Sequence, residues 1–539
     1  MLHFNPMTKI QLNKYILNRS WPFILIVLAG LSLFLFQNYK TFEFGPYVDG
    51  HFVEGHHGFL SSHGIALAKN LTQKDSPFLF MFNKKQINED GAVSYEAYNQ
   101  FPVFPFLLIG LAIKPFEPDL IMQVFIARQL MNLFFLLAMI LCFLMVDELI
   151  NNKTWASIVS LLSFSSYYML YYGDMIFNDI PALFGFLLAF YVMVKIYKKN
   201  SKPKLAQIII LPLITACMGW QPLFVYFTWL LVDGISKVLD HQKIKEIFRG
   251  PYFSFSLSGI FWASIILASQ IVNELRVTGS SIQSISLIQS MLFRLGFSTT
   301  NVYSKLMPYL NWRGFFEIQL MRITKILAPY GNIIKFPPFE NRSEMTSEKL
   351  IELIIWCLFI GIIILSGTVS SRGKQVGQKA LLALLISGFI WAIPMKTFTA
   401  FHEFQSIFYV GIPIALYIII GFYISPTSSK LISIFVLMIF VSGIYQMNQS
   451  KEVISKIVNP VTSEFQNIYN HLPSGSKVYV DGDRDQIAIA KHAINYYLAG
   501  SYFTSLKMAD FVISENPDIK GEKLTSNDTV NLYRITNGE

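Results

Sequence analysis

The strongest constraint in this sequence is the way apolar residues are gathered into long runs, such as Leu120 to Val146 and Ser406 to Tyr423, that no water-soluble fold can bury one after another. Of 539 residues, 53% are hydrophobic and only 14% charged, against about a quarter charged in soluble domains. A string of soluble domains, a disordered chain and a nucleic-acid-binding chain are therefore excluded, and a multi-spanning membrane protein remains.

Hydropathy and charge together predict about eleven transmembrane helices. They lie near Trp21–Phe36, Leu120–Val146, Trp155–Tyr172, Pro181–Val194, Leu205–Gly219, Pro222–Val232, Phe253–Val272, Leu350–Leu365, Ala380–Pro394, Ser406–Tyr423 and Leu431–Tyr445. Lys9, Lys14 and Arg19 precede the first run, which places the N-terminus in the cytoplasm, and no small-residue cleavage site follows, so the run is expected to stay as an anchor. Lys195, Lys198, Lys199, Lys202 and Lys204 then fall in one inner connection, and Lys237, Lys243, Lys245 and Arg249 in another. The short outer connections hold almost only Lys396. The net charge of +9 is thus a topology marker: residues 447–539 carry nine Lys or Arg against eleven Asp or Glu, so the excess belongs to the membrane region. Cys142, Cys217 and Cys357 are isolated within apolar runs and read as packing residues.

Two domains are expected, a membrane domain over 1–446 and an extracytoplasmic α/β domain over 447–539. The first has large outer loops near 38–119 and 273–349. Within the loops, Gly58–Leu71, Phe101–Phe116 and Phe315–Leu327 read as amphipathic helices. In the tail, helices are expected at Val453–Leu472 and Gln486–Leu498 and strands at Lys477–Val480 and Phe511–Ser514.

Three polar clusters emerge on the predicted outer face. YVDGHFVEGHHGFLSSHG, from Tyr47, places Asp49, Glu54, His56, His57 and His63 within fifteen positions and, with His51, holds four of the nine histidines. Such a set can hold a divalent metal (Mg, Mn or Zn) or perform acid–base chemistry. YYGDMIFNDIPALF, from Tyr171, carries Asp174 and Asp179; an acid at the membrane boundary needs a partner, and Asp179 before Ile180-Pro181 suits either a metal ligand or a helix N-cap. FTAFHEFQSIFY, from Phe398, carries His402, Glu403 and Gln405. The string from Asp481, DGDRDQ, has Gln486 where a calcium loop needs its turn glycine and reads as a strand-to-helix turn.

EGHHGFLSSHGIALAKNL from Glu54, YNQFPVFPFLLIGL from Tyr98, IARQLMNLFFLLAM from Ile126, NDIPALF from Asn178 and AFHEFQSIFYVGIP from Ala400 together resemble the GT-C superfamily of integral-membrane glycosyltransferases. That superfamily includes the protein mannosyltransferases and the aminoarabinose lipid A transferases. The resemblance implies a GT-C-like fold and transfer of a sugar from a polyprenyl-phosphate donor to an acceptor at the outer face. It makes Glu54 or Asp49 the catalytic base. Asp179, or else Asp174, then holds metal or substrate with His56 and His57, and His402, Arg313 and Arg322 are cations for the donor phosphate, with Arg294 and Lys325 also available. Many relatives have paired acids in the first loop, whereas here Asp49 and Glu54 are separated and histidines stand beside Glu54. The alternative is a multi-spanning transporter or flippase of lipid-linked envelope precursors, whose ionisable groups would be expected at mid-membrane within repeated halves. The expected partners are the lipid-linked donor and membrane lipids, with no nucleic acid.

Overall fold

The computed structural model describes residues 9–37, 56–117, 119–199, 203–241, 245–279, 281, 284–295, 312–327, 377–421, 431–449, 471–473, 475–481, 501–514, 516, 518–526 and 531–535. Most are helical. Six helices among them are long and apolar enough to cross a membrane: Leu120–Ile150, Asp179–Lys199, Gln221–Leu239, Pro251–Thr278, Phe404–Gly421 and Leu431–Gln449. Four shorter apolar helices accompany them, at Ser20–Phe36, Phe104–Phe116, Leu205–Met218 and Gln378–Ala392. The predicted span Leu350–Leu365 and the predicted helices Val453–Leu472 and Gln486–Leu498 lie outside the described residues, apart from 471–472.

The helices that build the candidate site are α1 (His56–Thr72), α2 (Leu120–Ile150), α3 (Lys153–Phe164), α4 (Tyr167–Tyr172), α5 (Asp179–Lys199), α6 (Gln221–Leu239), α7 (Pro251–Thr278), α8 (Ser286–Arg294), α9 (Trp312–Leu327), α10 (Gln378–Ala392) and α11 (Lys396–Phe401). A 3-10 segment, Glu403–Val410, follows α11 and leads into α12 (Gly411–Gly421).

Local chemistry sets several boundaries. Asp119 caps α2 by accepting from the Met122 amide at 2.9 Å, and Asn151 ends that helix in the left-handed region, φ 50°. The predicted span Trp155–Tyr172 is broken: α3 stops at Phe164, and Ser165 and Ser166 separate it from the single-turn-scale α4. The Ser165 hydroxyl donates to the Leu162 carbonyl at 2.9 Å, offering the backbone a local alternative to continuing the helix.

Helices immersed in hydrocarbon associate through close packing rather than expulsion of water. Gly388 of α10 lies against the Tyr409 ring and Gly411 against the Leu384 carbonyl. Any side chain at either position would push α10 away from the 3-10 segment. That close approach brings Trp391 to Gln405.

The 38–119 loop holds a β-hairpin that the hydropathy pattern did not reveal: β1 (Phe82–Ile87) pairs antiparallel with β2 (Val93–Ala97). Gly91, at φ +79°, turns the chain, and the Asp90 carboxylate accepts from the Ala92 amide at 2.9 Å. β1 does not stay within its loop. It pairs parallel with β4 (Tyr502–Phe503), and β4 pairs parallel with β3 (Lys477–Asp481). β3 pairs with β5 (Phe511–Ser514), followed by β7 (Asn531–Arg534) and β6 (Glu522–Ser526). The result is one seven-stranded sheet of order β2-β1-β4-β3-β5-β7-β6. Strand pairing therefore crosses the domain boundary expected at 446.

The seam between the two contributions is polar. Lys85 pairs with Asp75 at 2.9 Å and lies 4.0 Å from the Tyr502 ring centroid, while the Tyr502 hydroxyl donates to Asp75 at 2.6 Å. Asn70 of α1 donates to the carbonyls of Phe82 and Asn83, so α1, the hairpin and the C-terminal strands are tied together. The hydrogen bonds from Tyr502 and then Lys85 hold the Asp75 carboxyl below its ordinary 3.8, and the same bond pushes the Tyr502 hydroxyl up to about 12. A carboxyl shifted this way stabilises the seam above its unfolded value and stops doing so as pH falls through the lower folded value. The seam is thus expected to loosen only below pH 3.8, and Tyr502→Phe combined with Lys85→Met to loosen it at neutral pH. Hydrogen exchange of residues 82–97 is the check: faster exchange is expected in the double variant, with the helices unchanged.

Candidate active site

The connection from α4 to α5 is the floor of the site. Residues 173–179 are all buried, a burial that apolar Met175, Ile176 and Phe177 drive and that carries Asp174, Asn178 and Asp179 inward with them. Phe177 packs its ring against Phe101 at 5.1 Å and Phe106 at 5.5 Å. From α1, Ser61 accepts from the Ile176 amide at 3.2 Å, and Gly64 sits so close to the Ile176 carbonyl that no Cβ fits. His63 lies 4.3 Å from the Tyr98 ring and 6.3 Å from that of Phe177, centroid to centroid.

Asp179 begins α5 and is fully buried. Its Oδ1 accepts from Gln405 Nε2 at 2.5 Å, and its Oδ2 has no hydrogen-bond partner among the described residues. Asn178 beside it is equally buried, and among the described residues neither of its side-chain amide atoms has a hydrogen-bond partner. Gln405 Oε1 accepts from Gln221 Nε2 and from Trp391 Nε1, each at 3.2 Å. Four elements thus meet at one carboxylate: the start of α5, the 3-10 segment, the first residue of α6 and the end of α10. Buried polar atoms without partners are uncommon in folded proteins, and at a cluster such as this a catalytic role, an ion or a water is among their explanations.

A buried cation stands in electrostatic reach of this group. Glu274, near the end of α7, accepts from both the amide and the hydroxyl of Ser286, which starts α8 at a fixed position. Gln270 of α7 donates to the Phe101 carbonyl, and Gln100 accepts from Ser290 at 3.0 Å and from Arg294 Nη2 at 3.3 Å. At the end of α8 the Arg294 guanidinium lies between two rings, 4.7 Å from the Phe101 centroid and 4.4 Å from that of Phe398. Burial pushes Arg294 down to about 10, opposed by Tyr98 and Asp179, so it remains a cation at neutral pH.

The residues from Phe398 onward close the site. His402 donates from Nδ1 to the Phe398 carbonyl at 2.9 Å and lies 4.4 Å from the Phe398 ring, whose other neighbour is Arg294. Arg322 of α9 is buried, with Nη1 donating to the Thr399 carbonyl and Nη2 to that of Ala400 at 3.0 Å. It satisfies the last-turn carbonyls of α11, which have no partner within the helix.

The expected site residues are therefore placed unevenly. Asp179 is held by Gln405 and His402 lies on Phe398, two residues of one segment, while Asp174 is buried in the connection that leads to Asp179. Asp49 and Glu54 lie outside the described residues. His56 and His57 open α1, and Arg313 is the second residue of α9. Arg322 reaches the same segment as His402, but as a clamp on α11. Gln405 stands in the third polar cluster without a stated role, whereas Gln221, Trp391 and Asn178 are not singled out in the sequence; their signal is a polar or indole group adjoining an apolar run, as in Trp220-Gln221-Pro222. Among the described residues, no group of three or more His, Cys, Asp or Glu is positioned to hold a metal ion.

Fold and site together define a polytopic membrane protein with a buried acid, a buried cation and a sheet joined to the helical region. Residues 117–271 match the profile of the family described as dolichyl-phosphate-mannose-protein mannosyltransferase. ArnT from Cupriavidus metallidurans bound to undecaprenyl phosphate shares the fold, with TM-score 0.53 at 8% identity over 95% of this chain and 98% of that one. The apo state of that ArnT gives TM-score 0.47 at 10% identity over 96% and 98%. Archaeal oligosaccharyltransferase AglB from Archaeoglobus fulgidus, in complex with an inhibitory peptide and a dolichol-phosphate, gives 0.46 at 12% identity over 93% and 70%. None of the curated proteins matches the chain. The chain resembles the integral-membrane glycosyltransferases of the GT-C superfamily, in one stretch of its sequence and in its fold.

The contact of α1 with the floor is the most exacting in the site. Gly64→Ala is expected to force the Ile176 carbonyl to move and to destabilise the protein by about 1–3 kcal/mol. A lower thermal-unfolding midpoint of the detergent-solubilised variant is the check.

Proposed function

We propose that the chain is a GT-C-type glycosyltransferase that moves a sugar from a polyprenyl-phosphate donor to an acceptor at the outer face of the membrane. The observation that carries this reading is Asp179 Oδ2, a buried carboxylate oxygen without a hydrogen-bond partner among the described residues, in electrostatic reach of a buried arginine. Displacement at an anomeric carbon needs a base for the acceptor hydroxyl and positive charge for the departing phosphate. Glu54 or Asp49 supplies the base. Arg294 supplies the charge, presented by two aromatic faces that leave the edge of its guanidinium for a phosphate. His402 shares the Phe398 ring with Arg294 and borders the same phosphate position, while Arg322 fixes the segment that carries both.

Asp174, Asn178 and Asp179 offer oxygen donors within one buried connection, the donor type that Mg or Mn takes more readily than Zn. A metal there would offset charge on the leaving phosphate. The chain's own residues orient the sugar-phosphate and keep water from it, because Met175, Ile176 and Phe177 of the floor are buried and closed over by α1.

Charge segregation supports the orientation. On α6, Gln221 joins the site, while Asp233 near the other end pairs with Lys237 at 2.8 Å and with Lys379 at 3.0 Å. Sixteen residues of helix separate Gln221 from Lys237, or about 24 Å. Lys237 and Lys379 therefore mark the end of the bundle away from Gln221, the end that the positive-inside rule assigns to the cytoplasm in this reading.

Single replacements of Glu54, Asp49 and Asp179 by Ala or Asn are the test, with transfer measured in membranes from radiolabelled polyprenyl-phosphate hexoses and pentoses. Asp179→Asn is expected to lower transfer by roughly a hundredfold or more. Full activity in all three folded variants overturns the assignment.

A further inference from the structure

We propose that Gln405 is a positioning residue, whose amide is locked by Trp391 and Gln221 so that it grips one oxygen of Asp179 and turns the other toward the reacting groups. The inference rests on the role just given to Asp179.

The two ends of a glutamine amide are alike in shape and opposite in hydrogen bonding. An indole N–H only donates, so the end of Gln405 that faces Trp391 Nε1 must be the carbonyl oxygen. Gln221 Nε2 donates to the same oxygen. With Oε1 held in this orientation the planar amide fixes the place of Nε2, and Asp179 Oδ1 accepts one of its two hydrogens at 2.5 Å. The supports are themselves held. Trp391 is 2% exposed and packs edge-to-face on Phe224 at 5.0 Å, and Gln221 is 1% exposed as the first residue of α6.

The choice of a neutral donor has a chemical consequence. An Arg or Lys at this place would spend its charge on the carboxylate and draw it away from any other cation. An amide donor fixes the angle of the carboxylate and leaves its negative charge for whatever binds at Oδ2. Arg294, which already stands in electrostatic reach, does not replace it: its nearest hydrogen bond is to Gln100.

Gln405→Glu keeps the shape, removes the donor and sets a second carboxyl group against Asp179. Trp391→Phe keeps the aromatic packing and removes only the indole N–H, so the amide is free to turn. The measurement is kcat and KM for the radiolabelled polyprenyl-phosphate donor, alongside thermal unfolding and the Asp179→Asn variant. Gln405→Glu is expected to lower kcat at least tenfold, and Trp391→Phe about three- to tenfold, each with donor KM within about twofold. The double variant is expected to lose no more than Gln405→Glu alone, since Trp391 acts through Gln405. Inactive Asp179→Asn with normal kcat in folded Gln405→Glu and Trp391→Phe overturns the positioning role and leaves the function standing. Active Asp179→Asn overturns the reading of Asp179 on which both depend. A Gln405→Glu loss that falls on KM, or that only follows the amount of folded protein, also overturns the positioning role.

Discussion

A carboxylate at the boundary of an apolar helix bundle has to be met by the protein, because the surroundings offer it little else. Here that need is met from far along the chain: Asp179 is held by Gln405, and Gln405 by Gln221 and Trp391. Each partner lies at the end of a different helix, so the relative height of α5, α6, α10 and the 3-10 segment is set by one polar network. Its hydrogen bonds are directional where the surrounding packing is not, and so they specify an arrangement that apolar contacts alone would leave free to slide. Gly388 and Gly411 permit the close approach, and the network fixes its register.

The same economy appears around Arg294. A guanidinium deprived of water is kept charged by ring faces and by one side-chain amide oxygen, and Phe398 serves it on one side while touching His402 on the other. Arg322 fixes the carbonyls just beyond Phe398. The Phe398–Gln405 stretch is therefore the hub of the site: it contributes a ring to the cation, an amide to the acid and a histidine between them. That stretch lies over 200 residues from Asp179, which is why the α7–α8 corner and the α10–α11 corner have to be built so firmly.

How much of this was legible depended on the range of the forces involved. Long apolar runs such as Leu120 to Val146 declare themselves because a span needs nothing but its own composition. Asp174 and Asp179 stood out because an acid at a span boundary is costly wherever it sits. Gln405 carries no charge and resembles any polar residue at the edge of a helix; only the indole and amide across from it give it a role. The break between α3 and α4 was hidden since serines are tolerated within apolar helices, and the decision to bend is made by the packing of α4 on α9. The hairpin over 82–97 was hidden for a related reason. FNKKQI has two lysines and too little apolar content to be a strand by itself, and it becomes one because Tyr502 and Phe503 lie alongside it.

That pairing also bears on the order in which the molecule is made. β1 emerges from the ribosome more than 400 residues before the strand that flanks it, so throughout synthesis of the intervening helices its outer edge has no neighbour. A bare strand edge is the usual starting point for pairing with the wrong chain. Charged side chains are the usual guard of such an edge, and β1 carries two lysines, of which Lys85 ends on Asp75 and Tyr502. A product interrupted before Tyr502 would reach the membrane with its first loop still waiting.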